Sequence, residues 1–183
     1  MKTKSSILLI ILLFVLTGLS AQTYYYNVSK FFHEDGYSYR CDVNTEAGSV
    51  SLYNANNVKT NERYAFKDGS PLTSSVRFGR VKLIESDTWT KKKCNTIINN
   101  AFSSVEKQRV KGRRLSVCMT IDTNTGNVIE VDFWFRTDVG YSTIPVSVYR
   151  NIELGLKENI WFTLTNTGKK LNFIKRSWMH EVK

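Results

Sequence analysis

Proline, histidine and cysteine are scarce in this chain of 183 residues: it has two prolines, two histidines and three cysteines. The histidines, His33 and His180, lie near opposite ends. They leave little material for a Cys–His nucleophile pair or a three-ligand zinc site. Cys41, Cys94 and Cys118 include no CxxC pair, and no two are close in sequence. An odd number leaves at least one thiol unbridged even in an oxidising compartment. Structural thiols, or one bridge and a spare, are therefore expected rather than redox catalysis. Two prolines also exclude a Pro-rich spacer, and the chain has no low-complexity tract or internal repeat.

Long apolar runs are missing too. The main one, Ile7–Leu16, follows Lys2 and Lys4 and precedes the small residues of TGLSAQ. It is too short for the roughly 20 residues that cross a bilayer. A basic start, a short apolar run and a small-residue exit are the pattern of a secretory signal peptide. We expect cleavage after Ala21 and a periplasmic or secreted protein with no transmembrane span in the mature chain. Removing Lys2 and Lys4 from the 26 basic residues leaves 24 against 16 acidic ones, a net charge of +8. In a cytosolic protein that excess would point to nucleic acid. Export makes anionic lipid, acidic glycan or an acidic protein face the better candidates, and no nucleic acid is expected.

The first exported segment, 22–86, reads as β-rich. Tyr24, Tyr26 and Val28 alternate as in a strand. Tyr37, Tyr39, Cys41 and Val43 do so again, and after the turn NTEAGS the pattern continues through Val50 and Leu52. The polar span from Asn54 to Asn61 reads as a loop. Further strands are expected through Tyr64 and Phe66, and from Val76 to Ile84 with a bulge at Gly79.

From Asp87 the period changes. Cys94, Ile97, Ile98, Ala101, Phe102 and Val105 fall at helical spacing. One helix with Asp87 as its N-cap is expected, ending near Gly112. A second helix covers IPVSVYRNIELGLKENI, with Pro145 in its first turn and a stripe of Val148, Tyr149, Ile152, Leu156 and Ile160. RTDVGYST before it is a loop. WFTLT, the turn NTGK and LNFIKRSW complete the chain as two β segments. The expected fold class is α+β, a mainly antiparallel sheet with two helices, ordered α-β-β-α-β over 87–183.

Between the helices, LSVCMTIDTNTGNVIEVDFWF offers possible chemistry. DTNTG has some look of a calcium loop, but glycine arrives one place early and the twelfth position is Phe133, not glutamate. The alternation instead selects a hairpin. Met119 opposes Val131, Val117 opposes Phe133, and Ile121 opposes Ile129 across a five-residue connection holding Gly126. Cys118 then faces Asp132, whose charge disfavours thiolate. Glu130 and Asp132 read as solubilising carboxylates on a wet face. The residues present call for no cofactor, no metal and no catalytic constellation.

The strongest polar feature is the basic cluster Lys107, Arg109, Lys111, Arg113 and Arg114, a candidate anion-binding site. Lys91, Lys92 and Lys93 start the preceding helix, and Lys169, Lys170, Lys175 and Arg176 lie in the closing β region. If these groups converge they make an anion-attracting face.

The motifs INNAF, GRRLSVCMTID, TGNV, IEVDFWF, IPVSVYRNIELGLKENI and WFTLT, between Cys94 and Trp178, resemble the TonB C-terminal domain superfamily. The whole chain resembles small secreted proteins of Bacteroidetes. The first resemblance implies a closing strand that accepts an extended peptide by strand addition. Its candidate edge is Leu171, Asn172, Phe173, Ile174 and Lys175. The expected function is a non-catalytic envelope protein that binds a protein or peptide partner. The alternative is a basic module for anionic glycan or lipid. A thiol-dependent enzyme is the third reading.

Overall fold

Alternating apolar and polar residues build six strands: β1 (Lys30–Glu34), β2 (Tyr37–Asn44), β3 (Ser49–Asn54), β4 (Arg114–Ile121), β5 (Val128–Arg136) and β6 (Ile174–Glu181). The computed structural model describes residues 23–60, 62–138 and 140–183. The leader expected over 1–21, and Asn61 and Val139, lie outside the described residues. The strands form one antiparallel sheet in the order β1-β2-β3-β5-β4-β6. Because β3 pairs with β5, the β-rich first segment and the C-terminal αββαβ segment share one sheet and one core. The fold is α+β, as the periodicities imply.

The helices are α1 (Ser74–Arg77), α2 (Thr90–Ala101), α3 (Ser104–Val110) and α4 (Val146–Asn159). The stripe of α4 is buried at Val148, Tyr149, Ile152 and Leu156, and Ile160 just beyond is buried too. It meets the inward faces of the central strands, where Val117, Met119, Val131, Phe133 and Phe135 are also buried. Each such side chain contributes about 1.5–3 kcal/mol on full burial. Tyr149 stacks on Phe135 with ring centroids 5.4 Å apart, and Tyr26 meets Phe135 edge-on at 5.3 Å.

Several expectations are corrected. Tyr24–Val28 is not a strand: Tyr26 plugs the core and donates to the Ile144 carbonyl at 2.8 Å, while Tyr24 and Val28 are exposed. Val76–Ile84 is not a strand either. Thr73 caps the short α1, and Gly79 at φ +65 turns the chain away. The helix from Asp87 is two helices. Ser103 and Glu106 make a reciprocal capping box that starts α3, so Val105 swings outward and is 66% exposed. The S-x-x-E signal was present in the sequence and competes with the apolar period. Pro145 stands at the N-cap of α4 rather than inside it.

The β4–β5 hairpin has the expected register from Ser116↔Trp134 to Thr120↔Glu130, including Cys118↔Asp132. A bulge then shifts Ile121 onto Val128 instead of Ile129. The Asp122 carboxylate is used within its own turn, accepting from the Thr125 hydroxyl at 2.7 Å and the Asn124 N–H at 3.2 Å. Glu130 is not solvated: it is 6% exposed and takes the Val58 and Lys59 N–H groups at 2.7 and 2.9 Å. Asp132 accepts from Asn57 at 2.9 Å. These two carboxylates fasten the polar loop that follows β3.

Candidate functional site

The walls of the site come from two irregular segments, the start of α2 and the strands β4 and β6. The segment around Ile84 runs beside 163–165, with Glu85 N–H donating to Thr163 O at 2.8 Å and Thr165 N–H to Leu83 O at 3.0 Å. WFTLT, expected as a strand, makes only single bridges, Trp161 to Asn127 and Leu164 to Ile84. Two glycines hold this layer in place. Gly126 lies at φ +79, and a Cβ there would stand 2.1 Å from the Phe162 carbonyl. A Cβ on Gly168 would stand 2.1 Å from the Leu83 carbonyl. The hairpin turn thus packs on the backbone of Phe162, and the 3-10 turn Gly168–Lys170 on that of Leu83.

Between these segments, the start of α2 and β6 lies a cavity of about 350 Å³. Its apolar lining is Ile84, Cys94, Met119, Phe162 and Trp178. Its polar lining includes Lys82, Glu85, Asp87, Lys91 and Arg176. Arg176, Ser177 and Trp178 are consecutive in β6, so the cavity runs along that strand. The two acids already have partners. Glu85 pairs with Lys82 at 3.4 Å. Asp87 accepts the Thr90 and Trp89 N–H groups at 2.7 and 3.1 Å and so serves the first turn of α2, although the N-cap itself is Trp89 and not Asp87 as expected. Burial works against the Asp87 charge, but these hydrogen bonds, with Arg176 nearby, hold its carboxyl below the usual aspartate range. Among the described residues Lys91 and Arg176 have no acidic partner within ion-pair distance. The indole Nε1 of Trp178 is buried and meets no acceptor there.

The five-residue basic cluster lies elsewhere, and none of it lines the cavity. Arg109 donates to the Thr143 carbonyl at 3.0 Å. Arg113 pairs with Asp138. Arg114 opens β4, opposite Glu181, whereas Met119, farther along the same strand, faces Arg176 at the cavity. The structure therefore brings together Lys82, Lys91 and Arg176, and leaves Lys107, Arg109, Lys111, Arg113 and Arg114 apart from them.

The candidate edge Leu171–Lys175 is displaced. Leu171 bridges Phe66, Asn172 N–H donates to Ala65 O at 3.1 Å, and the Asn172 amide donates to Arg63 O at 2.8 Å. Phe173 is buried against Tyr64. These three residues are engaged by the loop that returns from β3. Ile174 and Lys175 begin β6, which has β4 on one side and, among the described residues, no strand on the other. The free edge is thus Ile174–Glu181.

All three thiols are free. Burial pushes Cys41 and Cys118 up to about 11 and Cys94 up to about 12, with Asp132 adding to the shift at Cys118. Among the described residues no three His, Cys, Asp or Glu side chains group as a metal site, and no helix there is long and apolar enough to cross a membrane. Sequence reasoning missed Glu153. It is fully buried in α4, accepts from the Tyr39 hydroxyl and pairs with Arg150 at 2.9 Å and Lys157 at 3.4 Å. Its helical spacing to Arg150 and Lys157 reads equally as an ordinary surface pair, so only the packing reveals it.

A sequence profile described as a domain of unknown function, DUF5043, matches residues 22–178. Among curated proteins no relative matches. The chain is similar to the crystal structure of a DUF5043 family protein from Bacteroides uniformis ATCC 8492. The identity is 35% and the TM-score 0.79, over 88% of this chain and 89% of that one.

Proposed function

We propose a binding role for this chain, which belongs to the DUF5043 family: after export, it takes an extended polypeptide of the cell envelope as an added strand along β6. The observation that carries this reading is the eight-residue edge strand with a cavity running beside it. An unpaired strand edge presents a row of backbone donors and acceptors. The resemblance of 94–178 to the TonB C-terminal superfamily supports the same mode of binding, and the leader pattern supports the compartment.

The test is crosslinking in envelope extract, followed by affinity measurement on the captured polypeptide with single prolines at Arg176 and Ser177. Successive N–H groups of a strand point to opposite sides, and proline removes one. One variant loses capture at an unchanged melting temperature. The other breaks the ladder with β4 and melts earlier. Arg176→Gln separates loss of the guanidinium from loss of the N–H. Unchanged affinity in both proline variants contradicts the reading.

A second reading, an anionic glycan or lipid on the 107–114 cluster, is favoured by Lys111 and Arg114, which are exposed and carry no ion-pair partner among the described residues. It requires steep salt dependence and loss of binding on reversing charge at Arg113 and Arg114. A salt-insensitive complex excludes it.

A further inference from the structure

We infer that the cavity beside β6 receives the C-terminus of the added polypeptide, its last residue apolar and its α-carboxylate held by Lys91 and Arg176. The inference rests on the β6 reading and specifies its ligand. Two features must be matched at once within about 350 Å³. The floor, Cys94, Met119 and Phe162, is apolar and buried. The polar side offers two cations without acidic partners. A terminal apolar residue carries its carboxylate and its apolar side chain on one Cα, so it satisfies both. An internal Asp or Glu puts charge at the tip of the side chain, against the apolar floor. An internal apolar residue leaves Lys91 and Arg176 unanswered. The volume is in the range of small-ligand pockets and suits a single terminal residue rather than a longer insert. Glu85 and Asp87 are already paired or capped, so they offer no anchor for a cationic ligand.

The experiment uses the peptide Ac-Thr-Val-Thr-Val-Leu with a free carboxylate, the same peptide as its C-terminal amide, and N-acetyl-leucine. Binding to the protein is followed by calorimetry and by backbone NMR. The free acid is expected to bind about tenfold or more tighter than the amide, the scale of one desolvated charge pair. In Lys91→Gln and Arg176→Gln that ratio falls toward one. Both residues are exposed, so these variants keep their melting temperature. Lys92→Gln removes the same charge from an exposed neighbour outside the cavity and leaves the ratio unchanged. Equal affinity of acid and amide, with binding still sensitive to proline in β6, overturns the terminal-carboxylate inference and leaves strand addition standing. N-acetyl-leucine that binds through Lys91 and Arg176 as tightly as the peptide does the reverse: the cavity assignment survives and strand addition fails. Failure of both carboxylates to bind at millimolar concentration overturns the inference.

Discussion

Basic residues gather at the N-terminus of α2 and, beyond its C-terminus, in and after α3, and the two groups do different work. Beyond the C-terminus of α2, Arg109 ties α3 to the Thr143 carbonyl and Arg113 pairs with Asp138. Two of the five cations of that cluster are thus taken up by the fold. At its N-terminus, Lys91 stands with Arg176, eighty-five positions away in the chain, on a cavity whose two acids are already engaged, Glu85 by Lys82 and Asp87 by the first N–H groups of α2. The denser charge run in sequence borders no part of the cavity, whereas the sparser pair does. A candidate anion site is therefore better sought where unpaired cations border a hollow than where lysines and arginines crowd in sequence.

The largest effect comes from collapsing the cavity end. Gly126→Val puts a branched side chain at φ +79 and against the Phe162 carbonyl. A loss of about 3 kcal/mol or more is expected, read by denaturant unfolding, together with loss of ligand binding. Glu153→Ala comes next. It removes a buried carboxylate that Tyr39, Arg150 and Lys157 all engage. Breaking such a group costs about 3 kcal/mol, and with Arg150 and Lys157 half-exposed we expect about 2 kcal/mol and no change at the cavity.

The direct contrast between the two basic groups is Arg109→Ala against Lys91→Gln. Arg109→Ala frees the Thr143 carbonyl and is expected to cost about 1.5 kcal/mol while binding holds. Lys91→Gln is expected to leave stability alone and weaken binding. If both change the same property, the distinction between the two basic groups is lost. The smallest effect is the pH response of His180. Burial, with the nearby Lys183 charge, holds its imidazole below the ordinary range, and its Nε2 faces Asn99 Oδ1 at 2.8 Å. The folded state therefore favours the neutral ring. Its contribution is whole above the unfolded value near about 6.5 and declines as pH falls through it. His180→Gln should flatten the melting temperature over that interval.

Elements whose apolar period had no local competitor were legible in the sequence. The α4 stripe, the β2–β3 alternation and the core pairs Met119–Val131 and Val117–Phe133 all follow from period alone. Elsewhere local chemistry overrode period: the Ser103–Glu106 box split a helix, and Gly79 ended α1 where a strand was expected. The candidate site was least legible. Lys91 and Arg176 meet only because β6 lies beside β4 and the start of α2. The edge was misplaced by a few residues because the Asn172 amide reaches back to Arg63 and Ala65, a contact with no trace in spacing.

Amide hydrogen exchange along β6, without and with the Ac-Thr-Val-Thr-Val-Leu acid, tests strand addition most directly. Alternate amides from Ile174 to Glu181 should exchange fast in the free protein, because their N–H groups point away from β4, and become protected in the complex. Fast amides whose exchange does not change at saturating peptide would contradict the account.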